Sequence, residues 1–230
     1  MNTYSRLWFE TFLETIPAAQ TEKEISFITQ FIPRPAHVLD LCCGEGRHAR
    51  GLAARGYNVI GVDRDTSAIT IARREIPNAR FIVGDMRDLK SVRGNFDAVI
   101  CMWQSFGDFD DATNADVLDQ INKKLTIGGR FVLDIFQCEF FKAHQGKWTL
   151  ERAGRAIMEN KWMSGNRLIV ELDYGDGAAD HFERRLFTPD EIAEQCARSG
   201  LARVLVCADF DANKPATAQN PRMQLVFEKR

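Results

Sequence analysis

His37-Val38-Leu39-Asp40-Leu41-Cys42-Cys43-Gly44-Glu45-Gly46-Arg47-His48 is the stretch whose reading decides the fold. A short apolar run of this kind reads as a buried parallel strand, and it passes straight into a tight turn and the start of a helix. Glycines in the turn permit close backbone approach to a ligand, and the helix that follows directs its free N–H groups at it. Such a turn is weak alone, but the pattern recurs: Gly61-Val62-Asp63 closes a second strand and Val83-Gly84-Asp85 a third. Asp40, Asp63 and Asp85 are spaced by about one βα unit with short loops. Three acids at three strand ends point to one cleft.

Working outward, the periodicity alternates. It predicts strands at 37–41, 57–62, 80–84, 96–102 and 130–136, and helices at 46–55, 65–74 and 115–126. Alternation of this kind implies an α/β fold with a parallel sheet and right-handed crossovers. Gly56 and Gly128 stand where helix C-caps belong. Before this core, Trp8, Phe12 and Ile16 share one face of a helix over 5–16. Thr21-x-x-Glu24 reads as a capping box before Ile25, Ile28 and Ile32. Residues 145–187 break the rhythm: Arg155–Trp162, Arg167–Tyr174 and His181–Phe187 read as strands, with turns at Ser164-Gly165-Asn166 and Gly175-Asp176-Gly177. This predicts an antiparallel insertion after the fifth strand, beside the ligand crevice. Thr188-Pro189-Asp190-Glu191 opens a last helix that Gly200 ends, and strands at 202–208 and 222–228 form a terminal antiparallel pair. The whole chain, 1–230, is read as one domain with parts 1–34, 37–136, 145–187 and 188–230.

Composition sets bounds. The chain has 230 residues, 45% hydrophobic and 27% charged, which allows a sizeable core, and its formal net charge is −2. With no basic run longer than a pair, nucleic acid is a poor partner. The sequence shows no membrane span and no signal peptide, so a cytoplasmic protein is expected. The six cysteines include no C-x-x-C pair, which favours reduced, mostly buried thiols, and no metal site is expected.

A glycine turn plus an acid after the second strand suits either a dinucleotide or S-adenosylmethionine, since a carboxylate accepts hydrogen bonds from a ribose diol in both. The turn favours the second. Gly44-Glu45-Gly46-Arg47-His48-Ala49 has two of the three glycines of G-x-G-x-x-G, and Glu45 would repel a pyrophosphate while suiting a sulfonium. Val38-Leu39-Asp40-Leu41-Cys42-Cys43-Gly44-Glu45-Gly46 resembles the first motif of the class I S-adenosylmethionine-dependent methyltransferases. Phe96-Asp97-Ala98-Val99-Ile100-Cys101 resembles their fourth strand, and Leu125-x-x-Gly128-Gly129-Arg130-Phe131-Val132-Leu133 their helix-turn-fifth-strand signature. The resemblance implies a doubly wound, seven-stranded, mostly parallel Rossmann-like sheet with a reversed last strand. It also implies a cofactor site comprising Asp40, Cys42, Gly44, Gly46, Asp63, Arg64, Asp85, Met86 and Cys101. Within that site Gly44–Gly46 holds the methionine part, Asp63 the ribose and Asp85 the adenine amino group. Cys42 departs from the glycine frequent at its position.

Methyl transfer is an in-line displacement that positioning alone can drive, so no catalytic residue is assigned. The acceptor is expected just past the fourth strand, where Trp103, Gln104 and Phe106 mix aromatic walls with a polar group, with Tyr4 and Trp8 as a possible cover. Trp103 and Phe106 suit a cationic or aromatic acceptor. His48, His144 and His181 read first as packing or surface residues, and Asp108, Asp110 and Asp111 as loop carboxylates. The expected activity is methylation of a small molecule at an amine nitrogen or a hydroxyl. An NAD-dependent oxidoreductase and a non-catalytic S-adenosylmethionine-binding protein are the alternatives. The Asn/Asp-Pro-Pro-aromatic run of base-modifying relatives is absent after the fourth strand, which argues against nucleic-acid acceptors.

Overall fold

The computed structural model describes residues 2 and 4–230. Its main sheet has seven strands in the order β10-β11-β5-β4-β1-β2-β3. The parallel part comprises β1 (His37–Leu41), β2 (Asn58–Asp63), β3 (Arg80–Val83), β4 (Phe96–Cys101) and β5 (Leu125–Phe136). The terminal strands β10 (Leu201–Cys207) and β11 (Arg222–Lys229) pair antiparallel, and β11 runs antiparallel to β5. The expected seven-stranded, mostly parallel sheet is therefore formed. From β1 the chain builds one way to β2 and β3, then crosses back to β4 on the other side. That reversal opens a crevice at the strands' carboxyl ends.

Helices cover both faces. On one, α2 (Ala18–Thr29), α3 (Arg47–Ala54) and α4 (Thr66–Glu75) bury Ile25, Phe27, Ile28, Leu52 and Ile69 against Val38, Val59 and Ile100. On the other, α5 (Asp111–Lys124) and α7 (Pro189–Arg198) bury Val117, Leu118, Ile121 and Ile192 against Leu39, Val99 and Leu133. The α7 capping box forms in full, with Thr188 Oγ1 accepting from Glu191 N–H and the Glu191 carboxylate accepting from Thr188 N–H.

Between β5 and α7 stand α6 (Cys138–Ala143) and a second, antiparallel sheet of β6 (Gly146–Arg152), β7 (Arg155–Ser164), β8 (Arg167–Asp173) and β9 (Ala179–Arg185). The insertion thus has one strand and one short helix more than the sequence predicts. The β6 sequence, Gly146-Lys147-Trp148-Thr149-Leu150-Glu151-Arg152, carries too few apolar positions to read as a strand, and its pairing with β7 decides it. The N-terminal helix also differs: α1 (Arg6–Trp8) passes directly into a π-helical stretch, Phe9–Leu13. Tyr4, Leu7, Trp8 and Phe12 pack on the core of the second sheet, with the Tyr4 ring stacked on Phe182 at 4.6 Å.

Two local readings are corrected. Thr21-x-x-Glu24 is no capping box, because α2 starts a turn earlier behind Pro17 and Thr21 lies inside it. Gly128 caps no helix: α5 ends at Lys124, and Gly128 (φ +76°) sits inside β5, where the register with β4 shifts.

Candidate active site

At the carboxyl ends of β1, β2 and β4 lies a cavity of about 640 Å³. Its floor is the turn after β1. Cys42 and Gly44 hold positive φ, and Gly46, also left-handed, is the N-cap of α3. A Cβ on Gly44 would meet nothing within 4 Å, so the turn faces open space, whereas one on Gly46 would come 2.6 Å from Ile76 Cδ1. Gly44 therefore meets the cavity, and Gly46 lets the helix pack.

The acids of the strand ends surround this turn. Asp63 Oδ2 accepts from the Gly44 N–H at 2.8 Å and Oδ1 from the Asp65 N–H at 2.9 Å, leaving each oxygen a further lone pair. Asp40 is buried with Oδ2 unpartnered among the described residues. Burial pushes its carboxyl up to about 7, with Arg47 opposing and Asp63 reinforcing the shift. Asp85 stands in a bidentate pair with Arg87, whose hydrogen bonds hold its carboxyl below the usual range.

The wall towards α2 is a charged network. Glu24, fully buried, receives His48 Nε2 at 2.8 Å, Arg47 Nη1 at 2.6 Å and Trp103 Nε1 at 2.7 Å. Burial pushes the Glu24 carboxyl up, and these partners outweigh it, so the carboxylate is held below its usual range. Burial, joined by the Arg47 charge, pushes the His48 imidazole down against the opposing pull of Glu24.

The roof comes from the N-terminal segment and the loop after β4. Tyr4, Trp8 and Phe9 line the cavity with Trp103, Asp108 and Phe109. Asp108 Oδ1 accepts from Asn2 Nδ2 at 2.9 Å and lies 3.9 Å from the buried Arg184 guanidinium, which donates to the Tyr4 hydroxyl.

Asp40, Cys42, Gly44, Asp63, Arg64, Asp85 and Met86 all line this cavity, as do Tyr4, Trp8 and Trp103. Four other expected residues do not: Gly46 faces Ile76 and Phe81 instead, and three more lie in the core. Cys101 is fully buried in the sheet core, Phe106 packs on Phe187 at 5.8 Å, and Gln104 is buried with its side chain spent on the backbone of Phe106 and Phe136. Trp103 is not a free cation-binding face either, since Arg47 and Arg222 lie 5.0 and 4.7 Å from its ring centroid. The acidic cluster after β4 disperses: Asp108 faces the cavity, Asp110 caps α5 and Asp111 pairs with Arg185.

Glu24 was hidden behind the capping-box reading. Its signal was a carboxylate at a helical spacing of three and four from Phe27 and Ile28, on the apolar face, where a buried charge requires partners. His48 and Asp108 were visible but carried no pattern separating them from surface residues.

An unpartnered buried carboxylate oxygen, further lone pairs on Asp63 and open space over Gly44 are the features a cationic, ribose-bearing ligand requires. The residues present thus fit S-adenosylmethionine, and the volume falls within the ~300–1,000 Å³ of small-molecule sites.

Comparison with known proteins agrees. Residues 38–129 match the methyltransferase domain family. The chain is 27% identical over 190 residues to a dTDP-3-amino-3,6-dideoxy-alpha-D-glucopyranose N,N-dimethyltransferase of Streptomyces fradiae, covering 77% of this chain and 74% of that one. Among solved structures, the CcbJ methyltransferase of Streptomyces caelestis superposes with a TM-score of 0.81 at 19% identity, covering 93% of this chain and 90% of that one. The amino pentose methyltransferase CalS10 of Micromonospora echinaspora, solved with S-adenosylmethionine bound, gives 0.74 at 20% identity, covering 100% and 99%.

Proposed function

We propose that the chain is a class I S-adenosylmethionine-dependent methyltransferase and that it methylates an amine nitrogen of a small molecule enclosed between the glycine turn and the N-terminal aromatic cover. One observation carries this reading: a single cavity has Gly44, Asp40, Asp63 and Asp85 at its floor and Tyr4, Trp8, Trp103 and Asp108 at its roof. The floor residues would hold the cofactor, with Cys42, Met86 and Arg64 beside them. When bound, the cofactor supplies a methyl carbon on a positively charged sulfur, open to in-line attack.

The chain's own part is enclosure and aim. Tyr4, Trp8 and Phe9 exclude water, and fixing two reactants in line is worth roughly 7–11 kcal/mol in favourable cases. Asp108 supplies the roof with a negative charge. Its Oδ1 is committed to Asn2, its other oxygen has no hydrogen bond to the described residues, and the residue lines the cavity. A carboxylate there suits an acceptor that carries an amine. The Streptomyces fradiae relative acts, by its name, on a nucleotide-linked amino sugar, and that supports the same acceptor class here.

The test is transfer of labelled methyl from S-adenosylmethionine to a panel of nucleotide-linked amino sugars, simple amines and matched hydroxyl compounds, with products identified by mass spectrometry. N-methylated product is expected. Turnover confined to hydroxyl acceptors would replace the amine reading with O-methylation.

A further inference from the structure

We propose that His48, oriented by Glu24, is the general base that removes the proton from the methyl acceptor. The inference rests on the small-molecule methylation assigned above to this cavity. It starts from a histidine whose two nitrogens have different fates. Nε2 is fixed 2.8 Å from Glu24 Oε2, on a carboxylate with no solvent exposure. Nδ1 has no hydrogen-bond partner among the described residues, and His48 lines the cavity. Since Glu24 is ionised, the shared proton belongs on Nε2, which leaves the Nδ1 lone pair available.

The surroundings keep the ring in that form. His48 lies in the first turn of α3, where the helix N-terminus disfavours an imidazolium. The charged groups facing it are Glu24 from α2, Arg47 from α3 and Asp134 from β5, and Asp134 is itself paired with Arg222 of β11. Burial and Arg47 favour the neutral ring, while Glu24 and Asp134 stabilise the cation once a proton arrives. A neutral base with carboxylates ready behind it is the arrangement proton abstraction requires.

Glu24 also accepts from Arg47 and Trp103, so one buried carboxylate ties α2 to the glycine-turn helix and to the loop after β4. Glu24 is a positioning residue: it fixes the ring and its tautomer. In the step itself, an N–H bond of a protonated amine breaks and an Nδ1–H bond forms. The freed nitrogen lone pair then bonds the methyl carbon as the carbon–sulfur bond breaks. Its electron pair remains on sulfur, giving a neutral thioether, and the imidazolium later returns its proton to water.

The test compares wild type with His48→Gln, whose amide can still donate to Glu24 but cannot accept a proton. The rate of methyl transfer is followed from pH 6 to 10, with cofactor affinity measured by calorimetry. The expected result is a fall in kcat of about 10²–10⁴-fold near pH 7. Cofactor Kd should stay within about threefold, and activity should recover as the pH passes the acceptor amine's own pKa. Nitrogen NMR of the ligand-free protein gives a readout apart from activity: a neutral ring protonated on Nε2 at pH 7 is expected. A His48→Gln enzyme within about fivefold of wild type with an unchanged pH profile overturns the proposal, as does a ring carrying its proton on Nδ1. If wild type turns over hydroxyl acceptors alone, the amine reading falls and the same rate ratio still decides the base. A wild type that methylates nothing overturns both.

Discussion

Asp63 Oδ2 accepts a hydrogen bond from the Gly44 N–H at 2.8 Å, so the end of β2 braces the glycine turn that follows β1. Asp63 therefore has two tasks, holding the turn and presenting its remaining lone pairs to the cavity. Hydrogen bonds to a charged group are worth about 1.5–3 kcal/mol each. Asp63→Ala is expected to weaken S-adenosylmethionine binding by roughly tenfold to several hundredfold in calorimetry. An undiminished Kd would remove Asp63 from the cofactor site.

Asp40 predicts a proton-linked binding reaction. With its carboxyl raised to about 7 by burial, the empty site is largely protonated at pH 6. A cationic ligand favours the carboxylate, so binding releases a proton below about pH 7 and none well above it. Calorimetry in buffers of different ionisation enthalpy should show this release at pH 6 and its disappearance at pH 8.5. Asp40→Asn should abolish it, and buffer-independent heats in wild type at pH 6 would exclude the linkage.

The same shift acts on folding, with a definite sign. A carboxyl whose folded pKa lies above its unfolded value costs stability as pH rises through that interval, because the unfolded chain ionises first. Ligand-free wild type should therefore lose stability between about pH 4 and pH 7 relative to Asp40→Asn. Denaturant titrations of both proteins at pH 5 and pH 8 test it. A wild-type disadvantage that fails to grow across that range would mean that Asp40 is not desolvated in solution.

Gly107 and Gly94 separate backbone strain from contact. Both are left-handed, at φ +106° and +95°. A Cβ on Gly107 would lie 2.4 Å from the Arg185 carbonyl oxygen, whereas one on Gly94 would meet nothing within 4 Å. Gly94→Ala carries only the conformational cost, and Gly107→Ala must also push the loop after β4 away from β9, which is backbone and cannot step aside. Strain and overpacking each cost about 1–3 kcal/mol. At about 2–4 °C per kcal/mol for a chain of this size, Gly107→Ala should melt several degrees below Gly94→Ala. Equal melting temperatures would show that the β9 contact is not maintained.

The parallel core was legible because its signals are local and repeated. Alternating periods, glycine turns and terminal acids place β1, β2, β4, α3 and α4 within a residue or two. The floor of the cavity followed from the same turns, since strand ends fix where Asp40, Asp63 and Asp85 must meet. The roof was harder to see. Gln104 and Phe106 carry the composition of a pocket, yet two successive left-handed residues, Trp103 and Gln104, redirect the chain and send both side chains inward. Nothing in the local pattern separates that turn from a loop lying along the cavity. Glu24 is the same problem in reverse: its role depends on Arg47, His48 and Trp103 arriving from elsewhere in the chain.

That dependence makes Trp103 a test of the network. Trp103→Phe keeps an aromatic ring near Arg47 and Arg222 but deletes the Nε1–H that Glu24 accepts at 2.7 Å. Leaving a buried carboxylate short of one donor costs about 1–3 kcal/mol. Glu24→Gln alone should also destabilise, because Arg47 and His48 lose their charged partner. If the three elements are joined through this carboxylate, the double variant should be less destabilised than the sum of the singles, by roughly 0.5–3 kcal/mol. Denaturant unfolding of all four proteins measures that coupling. Strict additivity would show that Trp103 and Glu24 act independently, with the wall of the cavity held by packing alone.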